Sequence, residues 1–548
     1  MTGHSQASKW NNTAPGAWWW VLPALLVVLA SHLAIPQPEE PVFYGDENRH
    51  VMTGVFFRDL LADRPLTDVK GYAESYYVQY PALGLLVWPP MFHLVEGLAM
   101  TAFGTSFVVA RFVVALFAML ACVYLFRLVS RTHGRGVAAA SVLLFSFTPL
   151  IFTYSRHVML EMPTLAFGLV ATFHFVRYLD EFQRRDIFVA AVASACAALT
   201  RFDAFYLLPM FAFLMLARGQ FSILLRREVW LAGLVAVVLV APFYLVAASQ
   251  VGALHAKQAT QSVVQEDAGR SLAEKLWFYP SQVPLQVGAF LTIAALIGLL
   301  RLRDWERRRE NLPYIAMLVA TWATFTPIAE QNMRHAIYWV PALAVLAWSG
   351  VSLLCEGQYR VVLRPALIAG LLWATTTHTL SSPRPNLAGY RDAAQWTLDN
   401  SDKSERFLFD GWLDGNFTYH VRHLDPQRQH TVLRGDKLFY GFVCVPETDF
   451  AEYASNEQQL LDIIFRYDPK FLIVEEPLPR HIPAAERFRK LLRDHPEHFE
   501  LTHDVPVTGR MGDRSGYSLK IYRNLKRNPN PDPSVRFEVR GLNREVSS

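Results

Sequence analysis

Apolar runs long enough to cross a bilayer recur through residues 1–380, and they constrain this 548-residue chain more than any other feature. A run of roughly 20 apolar residues is typical of a transmembrane helix. The first run opens with Trp18, Trp19 and Trp20, an aromatic belt that favours a membrane anchor over a cleaved signal peptide. We predict eleven spans, near residues 17–35, 106–126, 136–153, 164–179, 187–199, 204–217, 229–248, 284–300, 313–329, 336–354 and 365–380.

Charge density divides the chain into two parts. Residues 1–380 hold 28 Lys+Arg and 23 Asp+Glu, whereas residues 381–548 hold 24 and 25 in less than half that length. The first part is too apolar for a soluble protein, and the second has an ordinary globular composition. A wholly soluble enzyme and a disordered scaffold are therefore excluded. The small net charge of +4 gives no indication of nucleic-acid binding.

Loop charges predict the orientation. Residues 81–103 are apolar but contain Pro89, Pro90, His93 and Glu96, which a lipid-facing span tolerates poorly, so we place this segment along the interface. With that choice, 17 of the 28 basic residues fall on one side, which the positive-inside rule makes cytoplasmic. We expect an integral cell-membrane protein, in a bacterial inner membrane, with a cytoplasmic N-terminus.

The remaining third reads as a separate domain on the extracytoplasmic side. The fold class we predict is a polytopic α-helical membrane protein with a C-terminal extracytoplasmic α/β domain. Its domains are residues 1–380, residues 381–524 and a disordered tail at 525–548. No Gly-rich phosphate loop or Cys/His ligand spacing indicates a nucleotide or zinc site. Helices are expected at 388–398, 455–466 and 484–494, and strands at 406–410, 430–434, 470–475 and 517–523.

Ionisable residues gather at the outer ends of the predicted spans. They are the pair Asp46 and Glu47 in the first outer loop, Arg156 and Glu161 in the second, Arg201 and Asp203 in the third, and Arg334 and His335 in a fourth. Each group also has an ordinary interpretation: a solvated turn, a helix cap, a surface ion pair or an interfacial anchor. Their convergence on one face is less easily explained that way, because a transporter more often buries its ionisable residues at mid-membrane.

The order of these motifs carries a resemblance. An Asp-Glu pair follows the first span, then a YP…PP aromatic segment, VVARFVVALFAML, an Arg before Glu-x-Pro, a TR turn and RHAIYWVPALAVLA. Over residues 15–355 this order resembles the GT-C membrane glycosyltransferases, in particular the protein O-mannosyltransferases and the aminoarabinose lipid A transferases.

The resemblance implies a sugar transferase that uses a polyprenyl-phosphate-linked donor at the outer membrane face. It makes Asp46 the base, Glu47 its neighbour and Glu161 the acid of the second outer loop. Donor phosphate would be bound by Arg201, Arg334 and Arg156, and acceptor or sugar by Tyr80, His50 and Tyr77.

Two departures from the family pattern limit the substrate assignment. The sequence TRFD, from Thr200, replaces the family's TKG turn, so Asp203 adds a negative charge beside Arg201. Gln79-Tyr80-Pro81 replaces Glu-Lys-Pro, so aminoarabinose and lipid A are not assigned as substrates.

The chemistry needs one base and cations that hold phosphate, because a lipid phosphate is already a good leaving group. A single base implies inversion, no cofactor is required, and a divalent metal ion stays compatible. The acceptor is a lipid, glycan or protein hydroxyl, and the polar loop 249–283 is predicted to be a lid. Two rival hypotheses remain: a transporter or lipid-linked-sugar flippase without transfer chemistry, and a membrane-anchored binding domain.

Overall fold

The computed structural model describes residues 18–35, 40, 45–260, 270–303, 305–355, 359–442, 450–478, 481–509, 516–539 and 544–547. Helices dominate up to residue 381, and a small mixed sheet follows. The helices of the first part are α1 Trp18–Ala34, α2 Asp46–Asp63, α3 Val69–Gln79, α4 Met91–Phe103, α5 Phe107–His133, α6 Arg135–Ser146, α7 Pro149–Tyr154, α8 Glu161–Glu181, α9 Arg184–Ala198, α10 Leu207–Arg218, α11 Arg227–Thr260, α12 Leu272–Val287, α13 Ala289–Leu299, α14 Trp305–Phe325, α15 Val340–Leu354 and α16 Arg360–Ser381.

Three helical segments of the described chain are long and apolar enough to cross a membrane: Phe107–His133, Arg227–Gly252 and Met333–Leu354. Shorter apolar helices include Trp19–Ala34 and Ala289–Leu299. In α11 only 11% of the apolar window is buried inside the protein, so its Leu and Val side chains need an apolar environment outside it. The count of eleven spans stays a prediction.

Backbone breaks correct several predicted boundaries. The span expected at 136–153 is two helices, α6 and α7, because the chain turns before Pro149, which begins α7. The span expected at 284–300 begins only after Gly288, whose φ of 87° ends α12. Residues 249–283 are not the loop that was predicted as a lid, because α11 and α12 occupy most of this range. Residues 261–269 lie outside the described residues.

The segment after α1 is the largest local surprise. The Asp46-Glu47 pair does not lie in a loop: it forms the first turn of α2, which α3 and α4 follow. The predicted interfacial run 81–103 is helical only from Met91, after the two prolines. Helix α2 packs along α4 on one side and against the α/β domain on the other.

The α/β domain contains helices α17 Tyr390–Asp399, α18 Asp414–Leu424, α19 Gly435–Leu438, α20 Glu457–Tyr467 and α21 Pro483–Asp494. Its strands are β1 Leu387–Ala388, β2 Arg406–Asp410, β3 Thr431–Arg434, β4 Tyr440–Gly441, β5 Ala451–Glu452, β6 Phe471–Glu476, β7 Phe499–Pro506, β8 Thr508–Gly509, β9 Ser518–Asn524, β10 Arg536–Val539 and β11 Arg544–Ser547. The main sheet has the order β3-β2-β6-β9-β7. Strands β3, β2 and β6 are parallel, and β9 runs antiparallel to both of its neighbours, β6 and β7.

The prediction of a disordered tail at 525–548 is wrong for its described residues. Strands β10 and β11 form an antiparallel hairpin. Phe537 and Val546 are buried, the Phe537 ring lies 6.0 Å from that of Tyr77, and Arg544 pairs with Glu74 at 2.5 Å. Apolar side chains spaced among the polar ones thus fold the tail onto α3.

Candidate active site

Four chain segments meet at helix ends to form one charged cluster. Asp46 begins α2, Glu161 begins α8, Arg201 precedes the 3-10 turn Phe202–Tyr206, and Arg334 lies in the 3-10 turn Met333–Trp339. Helix starts carry partial positive charge, which favours the two carboxylates there. The convergence expected from the sequence is therefore present in the structure.

The contacts run as a chain of alternating charges. Arg334 Nη1 lies 3.2 Å from Asp46 Oδ2, and its Nε lies 3.8 Å from Glu161 Oε1. Arg201 Nη1 donates to Glu161 Oε1 at 2.6 Å, and its Nε donates to Asp203 Oδ2 at 2.5 Å. Three carboxylates thus face two guanidiniums. We call these five residues the carboxylate–arginine cluster.

Burial differs along this cluster. The side chain of Glu161 is fully buried and its Oε2 has no hydrogen-bond partner among the residues that the structure describes, whereas 26% of the Asp46 side chain is exposed. Although burial raises it, the pKa of Asp203 is lowered overall, because Arg201 stabilises the carboxylate. Asp46 is therefore the carboxylate of the cluster that an incoming molecule reaches most easily.

Tyr338 extends the cluster and was not predicted from the sequence. Its hydroxyl donates to Asp203 Oδ2 at 3.4 Å, and its ring stacks on that of Tyr206 with centroids 4.4 Å apart. The only sequence signal is its place four residues after Arg334, on the same short 3-10 turn. Asp203 itself, which the sequence suggested would weaken the phosphate role of Arg201, is an integral member of the cluster.

Glu47 faces away from Asp46. It is fully buried, and its Oε1 accepts from the backbone N–H of Val158 at 2.8 Å while Oε2 lies 3.3 Å from His157 Nδ1. These contacts fix the loop before α8, the helix of which Glu161 is the first residue. In the structure Glu47 supports the site through these contacts, and its catalytic role stays a prediction.

His50 lies one turn after Asp46 and is buried. Its Nδ1 lies 3.1 Å from His93 Nε2, and its ring lies 4.5 Å from that of Trp88. Burial, with the nearby His93 and arginines, lowers the pKa of His50 well below its usual value, so the ring is neutral. It remains placed to donate or accept a hydrogen bond near the cluster.

Tyr77 and Tyr80 do not contact the cluster in the part of the chain that the structure describes. Tyr77 packs on Phe537 of the terminal hairpin, and Tyr80 is fully buried with the guanidinium of Arg422 6.0 Å from its ring centre. Both tyrosines lie where α3 meets the α/β domain. Partners distant in the sequence pack against both, and their role as acceptor or sugar contacts stays a prediction.

Arg156 also lies apart from the cluster. Its Nη2 donates to Ser31 Oγ at 2.9 Å, its Nη1 donates to the Phe152 carbonyl at 3.2 Å, and its guanidinium lies 3.5 Å from the centre of the Phe152 ring. These contacts join α1 to α7. The structure thus does not bring Arg156 to the cluster, and its role as a phosphate ligand stays a prediction.

A metal-type donor group occurs elsewhere. Within the described ranges, the group of His, Cys, Asp or Glu residues with donor atoms close enough to share an ion is His495, Glu497 and His498, in the turn after α21. The carboxylates of the cluster instead have arginine partners.

Comparison with known proteins identifies the architecture. Residues 87–245 match the family model described as dolichyl-phosphate-mannose-protein mannosyltransferase. The structure of ArnT from Cupriavidus metallidurans bound to undecaprenyl phosphate aligns with a TM-score of 0.60 at 16% identity, over 92% of this chain and 100% of that chain. The fold is GT-C. The GT-C resemblance read from the sequence is thereby confirmed.

A second GT-C structure agrees. The Archaeoglobus fulgidus oligosaccharyltransferase complex with Zn and sulfate aligns with a TM-score of 0.53 at 15% identity, over 83% of this chain and 68% of that chain. No curated protein matches this chain in sequence. The residues matched by the family model include Glu161, Arg201 and Asp203. Asp46 and Arg334 lie outside that range, and the fold brings them to the cluster.

Proposed function

We propose that this protein is an inverting glycosyltransferase that moves a sugar from a polyprenyl-phosphate-linked donor to a hydroxyl acceptor at the outer face of the membrane. The carboxylate–arginine cluster is the observation that carries this proposal. It combines a partly exposed carboxylate with two arginines within one chain of contacts.

Asp46 serves as the base. Arg334 Nη1 contacts Asp46 Oδ2, and the Asp46 side chain is partly exposed, so the carboxylate can approach an acceptor hydroxyl. A general base must come within hydrogen-bond reach of the proton it removes. With one base and a phosphate leaving group, in-line attack inverts the anomeric carbon.

Arg201 and Arg334 hold the donor phosphate. A guanidinium offers five N–H donors in a planar fork. Carboxylates occupy Nε and Nη1 of Arg201, so its Nη2 can donate to a phosphate oxygen. Because three acids surround two arginines, the phosphate competes with carboxylates for these donors. Glu161 and Asp203 therefore orient the arginines at the cost of some affinity.

The relatives support a lipid-linked donor by analogy. The ArnT structure is described as bound to undecaprenyl phosphate, the product that such a transfer would release. The sugar and the acceptor are not assigned. A flippase stays the second candidate, because the same fold could bind a lipid-linked sugar without breaking its glycosidic bond.

The decisive experiment incubates the purified protein with a panel of polyprenyl-phosphate sugars and hydroxyl acceptors, and measures release of polyprenyl phosphate. Asp46→Asn is the matched inactive control. Release by the wild type that depends on acceptor supports transfer. Translocation of intact donor in proteoliposomes, without release, would support the flippase instead.

The orientation has its own test. Asn400 and Gln183 are both exposed, and the proposal puts Asn400 outside and Gln183 in the cytoplasm. In a cysteine-free background, an impermeant thiol reagent added to intact cells should label Asn400→Cys and miss Gln183→Cys. The reverse pattern would contradict the orientation.

A further inference from the structure

The first turn of α2 is attached to two parts of the molecule through consecutive residues. Glu47 accepts from Val158 N–H of the helical part at 2.8 Å, and Asn48 Nδ2 donates to Asn416 Oδ1 of α18 at 2.8 Å. Asp46, which precedes both, faces Arg334. The direction of Asp46 therefore depends on contacts made to opposite sides of the same turn.

The contact between α2 and α18 is close and buried. Asn48 and Asn416 are both buried, and a Cβ on Gly415 would overlap the side-chain amide of Asn48. Only glycine at 415 allows the two helices to approach this closely. Burial also keeps Asn416, the first residue of an Asn-Phe-Thr sequon, away from any glycosylating enzyme.

A charged contact flanks this amide pair. Arg49 Nη2 lies 3.4 Å from Asp414 Oδ1, and Asp414 also pairs with Arg434 at the end of β3. The Asn48–Asn416 and Arg49–Asp414 contacts both join the first turn of α18 to the first turn of α2. The α/β domain thus holds α2 at the end that carries Asp46.

We propose that the α/β domain is a positioning element of the active site, with Asn416 as the positioning residue that orients Asp46 through Asn48. The expected change in kcat rests on the proposed function. That α18 holds the first turn of α2 is a structural claim. It gives the outer domain a role in the chemical step. The competing explanation is that α18 merely docks the domain, in which case any contact of similar strength would serve equally.

The test compares Asn416→Leu with Arg428→Ala. Arg428 pairs with Asp63 at the opposite end of α2, so its loss removes an α/β-domain contact with the same helix but far from Asp46. The full-length protein in detergent is analysed by hydrogen–deuterium exchange and by donor-saturation kinetics. Asn416→Asp keeps an oxygen that accepts from Asn48 and should recover part of the effect.

We expect Asn416→Leu to speed exchange at residues 45–50 and lower kcat by about tenfold or more, with donor KM within about threefold. Arg428→Ala should do neither. If Asn416→Leu does not fold, Asn416→Ser provides the same comparison with a smaller change.

Unchanged exchange at 45–50 would overturn the inference, and so would faster exchange with an unchanged kcat in an active enzyme. Equal kinetic losses in Asn416→Leu and Arg428→Ala would also overturn it, because they would indicate docking alone. If the wild type releases no lipid phosphate, the proposed function fails. The exchange data then still decide whether α18 holds the first turn of α2.

Discussion

Helix α2 has an ionic network at each end, and the two networks differ in burial and in how fully their polar atoms are paired. At its start, Asp46 is partly exposed, and within the described ranges Oε2 of the neighbouring Glu161 has no hydrogen bond. At its end, Asp59 and Arg422 are fully buried, with Arg422 Nη2 2.6 Å from Asp59 Oδ2. Tyr76 donates to the same oxygen at 2.7 Å, and Arg58 donates to Oδ1 at 2.8 Å.

The comparison separates structure from chemistry. A buried ion pair whose carboxylate oxygens are both hydrogen-bonded holds two elements in one register but offers nothing to a substrate. An ionic cluster with excess carboxylates, an unpaired oxygen and one exposed acid is less stable as it stands and ready to accept new partners. We therefore assign the Asp59 end to fold integrity and the Asp46 end to function.

The largest expected effect is at the exposed end. Asp46→Asn keeps size and hydrogen bonding but cannot take a proton, so turnover should fall by roughly 10²–10⁴-fold, with little change in thermal unfolding. Asp63→Asn, at the other end of α2, is the matched control and should keep near-normal turnover. Normal turnover in Asp46→Asn would remove Asp46 from the mechanism.

The buried end should respond in the opposite way. Arg422→Met leaves Asp59 buried without its main partner, which typically costs about 3–5 kcal/mol of stability. Denaturant or thermal unfolding in detergent measures the loss, and the folded fraction should keep its donor KM. The double variant Asp59→Leu with Arg422→Met should recover much of the loss; a double variant as unstable as the single would argue against this ion pair as the cause.

Removing a phosphate ligand should give an intermediate effect. Arg201→Ala or Arg334→Ala loses charge-assisted hydrogen bonds worth about 1.5–3 kcal/mol, so donor kcat/KM should fall roughly tenfold to more than a hundredfold. Lysine should rescue in part, because it restores charge but not the planar fork. The donor is titrated at saturating acceptor, and unchanged kinetics in both alanine variants would place the phosphate elsewhere.

The smallest kinetic effect is expected at Arg156. Because its contacts lie with Ser31 and Phe152, Arg156→Ala should lower stability through lost packing and leave donor kcat/KM within about twofold. Donor titration beside a thermal unfolding scan separates the two effects. A tenfold fall in donor kcat/KM at normal stability would return Arg156 to the phosphate site.

Apolar runs predicted the helical part because lipid and core both select for apolar side chains, and the strands around 406–410 and 470–475 were found for a similar reason. Helix α2 was missed because its sequence DENRHVMTGVFFRDLLAD mixes charged and apolar residues without one apolar face. Two of its buried polar residues, Asn48 and Asp59, find their partners Asn416 and Arg422 in α18, which lies more than 350 residues later. No local pattern contains that information.

The candidate site shows the same limit. Asp46, Glu161, Arg201 and Arg334 were found because each stands at a span end, where few charged residues belong. Arg156 carries the same local signal, yet its guanidinium turns to α1. Tyr77 and Tyr80 have the aromatic character of an interface, but the partner is protein. Position along a span predicts the depth of a side chain, and only tertiary packing decides its direction.

The partnership between α2 and α18 has a consequence for biosynthesis. Arg422 follows Asp59 by 363 residues in the chain. At translation rates of about 5–20 residues per second, α2 leaves the ribosome roughly 20–70 s before the side chain that will neutralise Asp59. During that interval Asp59 lacks Arg422, so its carboxylate must remain hydrated or bound by a chaperone until α18 is made. A protein truncated before residue 414 would lack the α18 partners of α2, and with them the contact that we propose orients Asp46.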